Sequence, residues 1–251
     1  HQGRTGPCAE AIIAAGVARV VVGVLDADEQ VGGNGVARLR AAGIDVDVGV
    51  AASEVGQQLA PYLHHRRTGR PWVVLKTAAS LDGRTAAPDG SSQWITSEEA
   101  RADSHRIRAE SDAILVGAAT VRADNPSLTT RLVDGPSPRR IVLGTARADA
   151  AVHPCLEWQG PIGDLLDQLG DDGVLQLMVE GGANVFAQFL AEDLVDRVVA
   201  YVAPALFGGD DGRPLFVGKG ASTIDEITRG RFVDVRRVGP DLRIDLEPGR
   251  G

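Results

Sequence analysis

Cysteine is nearly absent. Cys8 and Cys155 are the two in 251 residues, too few for a disulfide framework and consistent with a reducing compartment, the cytoplasm being the expected one. No stretch approaches the roughly 20 apolar residues that a membrane span requires. Positive charge is not in excess: 26 Lys+Arg stand against 34 Asp+Glu, a net charge of −8, which excludes a general nucleic-acid binder with its basic footprint. Lysine itself is scarce, with Lys76 and Lys219 the only two. Internal repeats and low-complexity tracts are also missing. What remains is ordinary globular material, 43% hydrophobic and 24% charged, long enough for one or two domains.

The pattern divides the chain into blocks 1–67 and 68–251. In the first, Ala9 to Gly16 reads as a helix and Arg19 to Leu25 (RVVVGVL) as a buried strand. A glycine-rich turn at Gly32 to Gly35 follows. Next come a helix from Val36 to Ala42 stopped by Gly43, a strand from Ile44 to Val50, and a helix from Glu54 to Tyr62. This is the tail of an α/β layer, small for a domain on its own. HHRRTGRP, His64 to Pro71, reads as a linker or as a helix end plus loop.

In the second block, strands are expected at Trp72 to Ala79, Ala113 to Val116, Arg140 to Leu143, Val174 to Val179 and Val195 to Val202. A helix from the capping-box pattern Thr96-Ser-Glu-Glu99 runs to about Arg108. Further helices follow Gly117, cover Asp164 to Leu169, and follow the Gly181-Gly182 turn. Phe232 to Val238 and Leu242 to Leu246 form a closing hairpin around Gly239-Pro240-Asp241. Alternating β and α with a final hairpin predicts an α/β fold, a mixed sheet with helices on both faces.

Four patterns in this block carry chemistry. VLQLMVEGGANVF (Val174 to Phe186) runs an apolar strand into Glu180 and a glycine pair that opens a helix, a place where backbone N–H groups meet anions. The alternative is a plain strand-turn-helix connection; the dinucleotide fingerprint G-x-G-x-x-G is absent. A carboxylate such as Glu180 at a strand's carboxyl end suits sugar hydroxyls. LKTAASLDGR places Lys76 in an apolar strand, where it needs a partner or a ligand anion, and Asp82 in the turn beyond; a solvent-facing edge lysine is the competing reading. Residues Ser91 to Arg131 hold Arg101, Arg106, Arg108, Arg122 and Arg131, most of them a solvated face. Arg108 and Arg131 are placed to grip a phosphate monoester. Trp94 could stack on a ring or fill a core. LGTAR (Leu143 to Arg147) pairs a hydroxyl with an arginine, as a 2′-phosphate would want, or is a surface loop.

Together HQGRTGPC, WVVLKTAASLDGRTA, SSQWIT, AILVGAATVRADNPSLTTR, VEGGANV and APALFGGDD resemble the bifunctional pyrimidine deaminase/reductase family of riboflavin biosynthesis, over essentially the whole chain. The resemblance implies a dihydrofolate-reductase-like second block, preceded by a partial cytidine-deaminase-like layer. It implies NADPH-dependent reduction of 5-amino-6-(5-phosphoribosylamino)uracil to the ribitylamino compound. NADPH would contact Ala78, Trp94, Thr120, Asp124, Thr145 and Gly182, Ala183, Asn184, Val185, Phe186, Ala187 and Gln188. Substrate would contact Ser92, Arg108, Leu128, Arg131 and Glu180. Lys76, Asp82 and Glu180 are the candidate proton carriers, unranked by sequence. A homodimer through the reductase block is implied as well.

The chain begins at His1, within what looks like the end of the deaminase half, and is expected to be a fragment of a longer protein. Zinc deaminases use one His and two Cys, with H-x-E and P-C signatures. Of that set Cys8 alone remains, so zinc and deamination are expected of the longer protein and not of this chain. A pterin or folate reductase, or a fragment that only binds ligand, are the competing readings.

Overall fold

A computed structural model describes residues 8–27 and 33–249. The HQGRTGP segment and Gly32 lie outside the described residues. Two compact units divide between Arg70 and Pro71.

The first unit contains α1 (Cys8–Ala14), β1 (Arg19–Val22), α2 (Asn34–Ala41), β2 (Asp45–Val48), α3 (Ala52–Gln58) and α4 (Ala60–Thr68). β1 and β2 pair in parallel. Leu39, Ile44 and Val46 form its buried centre, with Ile12, Ile13, Val20 and Val22 packed around them. The apolar run from Arg19 is thus a shorter and less buried strand than expected. Val20 and Val22 face this centre, while Val21 on the other face is 55% exposed. The helix expected at Glu54 to Tyr62 is instead two helices, because Pro61 stands in the first turn of α4 and favours a new start there. Of the two readings of His64 to Pro71, the structure shows the helix end plus loop: His64 to Thr68 complete α4, and Gly69 stops it with φ +75°.

The second unit is built on β3 (Trp72–Ser80), β4 (Arg84–Ala86), α5 (Glu98–Glu110), β5 (Ala113–Gly117), α6 (Ala118–Asp124), β6 (Arg139–Leu143) and β7 (Leu156–Trp158). It continues through α7 (Ile162–Asp171), β8 (Gln176–Gly181), α8 (Ala183–Ala191), β9 (Arg197–Ala203), β10 (Arg213–Pro214), β11 (Gly230–Val238) and β12 (Asp241–Pro248). Eight strands form one sheet in the order β11-β12-β9-β3-β8-β5-β6-β7. From β9 to β7 all neighbours are parallel, and the β11–β12 hairpin joins β9 antiparallel. The sheet is mixed and covered on both faces. Val73, Leu75, Ala113, Leu115, Leu177 and Val179 pack under α7 and α8, while Val74, Ile114, Val116 and Met178 pack under α5 and α6. That alternation explains why the central strands read as continuous apolar runs. No described helix is long and apolar enough to cross a membrane.

α5 matters most for the site, and its start differs from the expected capping box. Ser97 is the N-cap and accepts from the Ala100 N–H at 3.2 Å. Its own N–H and hydroxyl donate to Asp241 Oδ2 at 2.7 and 2.8 Å, so the hairpin supplies the carboxylate that the box would take from the helix. Midway along α5, buried Asp103 accepts from Tyr201 Oη at 2.7 Å and Arg243 Nη1 at 2.8 Å. Arg243 also grips Asp245 with two bonds. Removing one member of such a buried network leaves its partners unpaired. Asp103→Ala is expected to destabilise the second unit by about 2–4 kcal/mol in urea unfolding. Arg236→Ala removes a half-exposed guanidinium 3.8 Å from the same carboxylate and should cost less than about 1 kcal/mol.

Candidate active site

The β3–β8 ladder ends with Leu75 opposite Val179, and Lys76 and Glu180 are the next residues on the two strands. Glu180 follows three residues with no exposed surface, so its carboxylate needs a partner. The partner is Arg108, in the last turn of α5: Nε and Nη2 donate to Oε1 and Oε2 at 2.5 and 2.7 Å. Both side chains are almost wholly buried, at 11% and 9% exposure. This is a two-pronged guanidinium–carboxylate fork, strong and directional. Arg108 Nη1 also donates to the Thr129 carbonyl at 3.1 Å.

The charges around this fork are set by burial and by one another. Burial opposes ionisation of Glu180, but the Arg108 charge and hydrogen bonds outweigh it and hold the carboxyl below its ordinary range. Burial pushes the Lys76 ammonium down; Glu180 opposes that shift and Arg108 adds to it. Lys76 Nζ stands 5.7 Å from the centre of the Tyr201 ring. His105, one turn before Arg108, is buried, and desolvation followed by the Arg108 and Arg131 charges lowers it to about 4. Both ring nitrogens face donors, Nδ1 the Arg131 N–H at 3.1 Å and Nε2 the Arg108 Nη1 at 3.4 Å, an environment that disfavours the charged imidazolium. Arg131 is exposed and its side chain has no ion-pair partner among the described residues. Cations outnumber the carboxylate here, an arrangement that attracts an anionic ligand.

Asp82 plays another part. It is exposed, accepts from Ser80 Oγ at 2.5 Å and from the Gly208 and Phe207 N–H groups at 2.8 and 3.3 Å, and is held below the ordinary carboxylate range by those donors, Ser80 first. It anchors the loop after β9. That loop, through Ala205, Leu206 and Phe207, lines a recess of about 300 Å³ with Ser92 and Trp94. Trp94 is 63% exposed and Arg101 lies over its ring at 4.3 Å, so it is not a core residue.

Two strand-turn-helix connections meet beside these groups. A Cβ on Gly181 would fall 2.9 Å from Val116, one on Gly117 2.8 Å from Val185, and one on Gly182 (φ +87°) 3.0 Å from Thr120 Oγ1. Only glycine lets the two turns approach this closely. No side chain caps Gly182 at the start of α8, which leaves first-turn N–H groups available to an anion.

The RibD C-terminal domain family matches residues 71–244. The chain belongs to the RibD family of riboflavin biosynthesis proteins. It is 44% identical to the riboflavin biosynthesis protein RibD of Mycobacterium tuberculosis over 259 residues, covering 98% of this chain and 75% of that one. The Escherichia coli protein of the same name is 37% identical over 289 residues, covering 98% and 78%. The solved structure of Acinetobacter baumannii RibD superposes with a TM-score of 0.86 at 33% identity, covering 100% of this chain and 78% of that one. The riboflavin biosynthesis reductase Rib7 of Saccharomyces cerevisiae, at 22% identity and a TM-score of 0.57, shares the fold.

The residues assigned by resemblance to this family take varied places. Thr120 and Asp124 lie on α6, Ala78 on β3, and Thr145 on the exposed loop after β6, where Gln159 donates to its hydroxyl at 3.0 Å. Gly182, Asn184 and Gln188 are exposed and Ala183 and Ala187 half-buried, but the Val185 and Phe186 side chains are core, leaving their backbone for a ligand. Leu128 is 2% exposed with φ +55°, so its side chain also faces the core. Cys8 is exposed on α1. Sequence reasoning missed His105, for which SHRIR offers only a helical i, i+3 spacing to Arg108.

Because burial depresses His105 in the fold while an unfolded histidine binds protons at about 6.5, the unfolded chain takes up more protons between about pH 6.5 and 4. Stability should therefore fall as pH drops through that window, by on the order of 2–3 kcal/mol. Asn at this position keeps an acceptor for the Arg131 N–H but does not titrate. Chemical denaturation of His105→Asn at several pH values should show this component flattened.

Proposed function

We propose that this chain reduces 5-amino-6-(5-phosphoribosylamino)uracil to its ribitylamino product with NADPH as cofactor. The observation that carries the reading is the buried Arg108–Glu180 fork beside Lys76, set where β3 and β8 open toward the two glycine turns. The glycine cradle and the uncapped start of α8 fit a dinucleotide's phosphates. Thr120, Thr145 and the first turn of α8 would hold NADPH, and Trp94 would cover a ring with the face opposite Arg101. When bound, NADPH supplies a hydride to the sugar C1′.

The chain's own groups position and protonate the substrate. Arg131, with its charge uncommitted, grips the substrate phosphate. Glu180 is ionised and accepts sugar hydroxyls while Arg108 fixes its orientation. Asp82 is ionised and saturated with donors, and Glu180 is locked in its fork, so neither gives up a proton near neutral pH. Lys76 is the acid: it lies in no ion pair among the described residues, and burial favours its loss of a proton. It delivers that proton to the sugar ring oxygen as the ring opens and C1′ becomes the electrophile. Positioning the ribosyl carbon at about 3–3.5 Å from the hydride donor supplies most of the rate. A homodimer has a surface available: β11 is an edge strand with Phe232 and Val235 65% and 54% exposed.

NADPH oxidation followed at 340 nm with the ribosylamino substrate tests this reading. Arg131→Ala should raise KM by an amount equivalent to about 1.5–3 kcal/mol; an unchanged KM contradicts the phosphate grip. Lys76→Met should lower kcat by about 10²–10⁴-fold. Since the protonated ammonium is the working form, activity should fall as pH rises through its lowered pKa. That alkaline limb should lie below the ordinary lysine value of about 10.4 and be absent from the variant.

A further inference from the structure

At the far edge of the sheet, where the loop after β6 runs beside β7, the chain brings three dissimilar donor groups together. His153, Cys155 and Glu157 occupy alternate positions on the segment that turns into β7. One donor atom from each lies within 4.8 Å of the others. His153 Nδ1 and Cys155 Sγ are 3.5 Å apart.

We propose that His153, Cys155 and Glu157 form a binding site for a borderline-soft divalent cation, zinc being the fitting one.

Three features beyond proximity support this. First, His153 Nε2 lies 2.8 Å from the Arg147 carbonyl oxygen. A carbonyl can only accept, so Nε2 carries the proton, and Nδ1 in the neutral ring turns its lone pair toward Cys155. An imidazole whose far nitrogen donates to a carbonyl is the usual orientation of a metal-binding histidine. Second, nitrogen and sulfur ligands at about 2.1 and 2.3 Å from a tetrahedral zinc stand about 3.6 Å apart, which the 3.5 Å spacing already meets. Third, the Ala146 N–H donates to Glu157 Oε1 at 3.0 Å. One carboxylate oxygen is thereby oriented by the backbone and the other is left for the metal. Arg140 Nη1 donates to the His153 carbonyl at 3.3 Å and steadies the same turn.

The donor set of one nitrogen, one sulfur and one oxygen matches zinc better than the oxygen-seeking magnesium or calcium. Three protein ligands leave a fourth position for water. Binding forms the Zn–S bond as the Cys155 thiol releases its proton to solvent. Glu157, exposed at the surface, is the ligand that closes in. The bonds that orient His153 and Glu157 both come from residues 146–147, so an occupied site staples the loop after β6 to β7, which is otherwise three residues long. The stapled loop also carries Thr145, assigned to NADPH above, but the three donors themselves are residues with no role in that reading.

Cys8→Ser protein is the suitable parent, because Cys155 is then its sole cysteine. Titration of the folded Cys8→Ser chain with Co²⁺ alone should give a near-ultraviolet thiolate-to-cobalt band that saturates at one equivalent and is displaced by Zn²⁺. X-ray absorption of the zinc form should show one sulfur at about 2.3 Å with lighter ligands nearer 2.0 Å. Adding Cys155→Ser should abolish the band. Glu157→Gln keeps the acceptor for Ala146 and should weaken binding tenfold or more, which provides a test even if loss of the thiol disturbs folding. No saturable band in the parent, a band that survives Cys155→Ser, or affinity unchanged by Glu157→Gln would overturn the proposal.

Discussion

The Arg108–Glu180 fork is the constraint on which the arrangement of the second unit depends. It joins the end of α5 to the end of β8, two elements 72 residues apart in sequence. A carboxylate among fully buried neighbours is unfavourable alone, and so is a guanidinium; each is tolerable because the other is held at bonding distance. The fork also sets the charge states around it. It keeps Glu180 ionised, acts on Lys76 in both senses, with Glu180 opposing the depression caused by burial and Arg108 deepening it, and helps keep His105 neutral.

Such a fork needs its supports to be rigid, and α5 is tied to the sheet along its length. Ser97 meets Asp241 of the hairpin at the start, Asp103 meets Tyr201 and Arg243 in the middle, and Arg108 meets Glu180 at the end. The sheet beneath is mostly parallel, so its strand ends open on one side, where the glycines at 117, 181 and 182 draw two turns together. Packing alone thus brings fixed charges and free backbone N–H groups to the same edge, the site where open α/β sheets bind ligands. On the function proposed above, this edge would join a phosphate-gripping cation, a hydroxyl-binding carboxylate and a single acid.

Much of this was legible in the residues. The apolar runs of β3, β5 and β8 mark buried parallel strands, and Gly181-Gly182 marks the turn into α8. The partnership of Arg108 with Glu180 was not. Sequence reading assigns both to the substrate, whereas the structure spends most of the Arg108 hydrogen bonding on Glu180 and Thr129. Pairings across 72 residues leave no local trace, and the same holds for Asp241 replacing the helix's own glutamate at the α5 cap. β7 escaped because three residues, Leu156 to Trp158, carry too little period to read. The HHRRTGRP segment read equally as a linker or as a helix end plus loop, because its polarity blurs a helix that only Pro61 and Gly69 punctuate. His153, Cys155 and Glu157 stand at alternate positions within five residues, yet only the folded turn shows the imidazole and thiol facing one another.

The most direct measurement follows the hydride itself. Incubating the chain with the ribosylamino substrate and NADPH deuterated at the transferable position of nicotinamide C4 should yield a ribitylamino product one mass unit heavier, with the label on C1′. Product without deuterium, label at another carbon, or label that stays on the nucleotide would contradict the account.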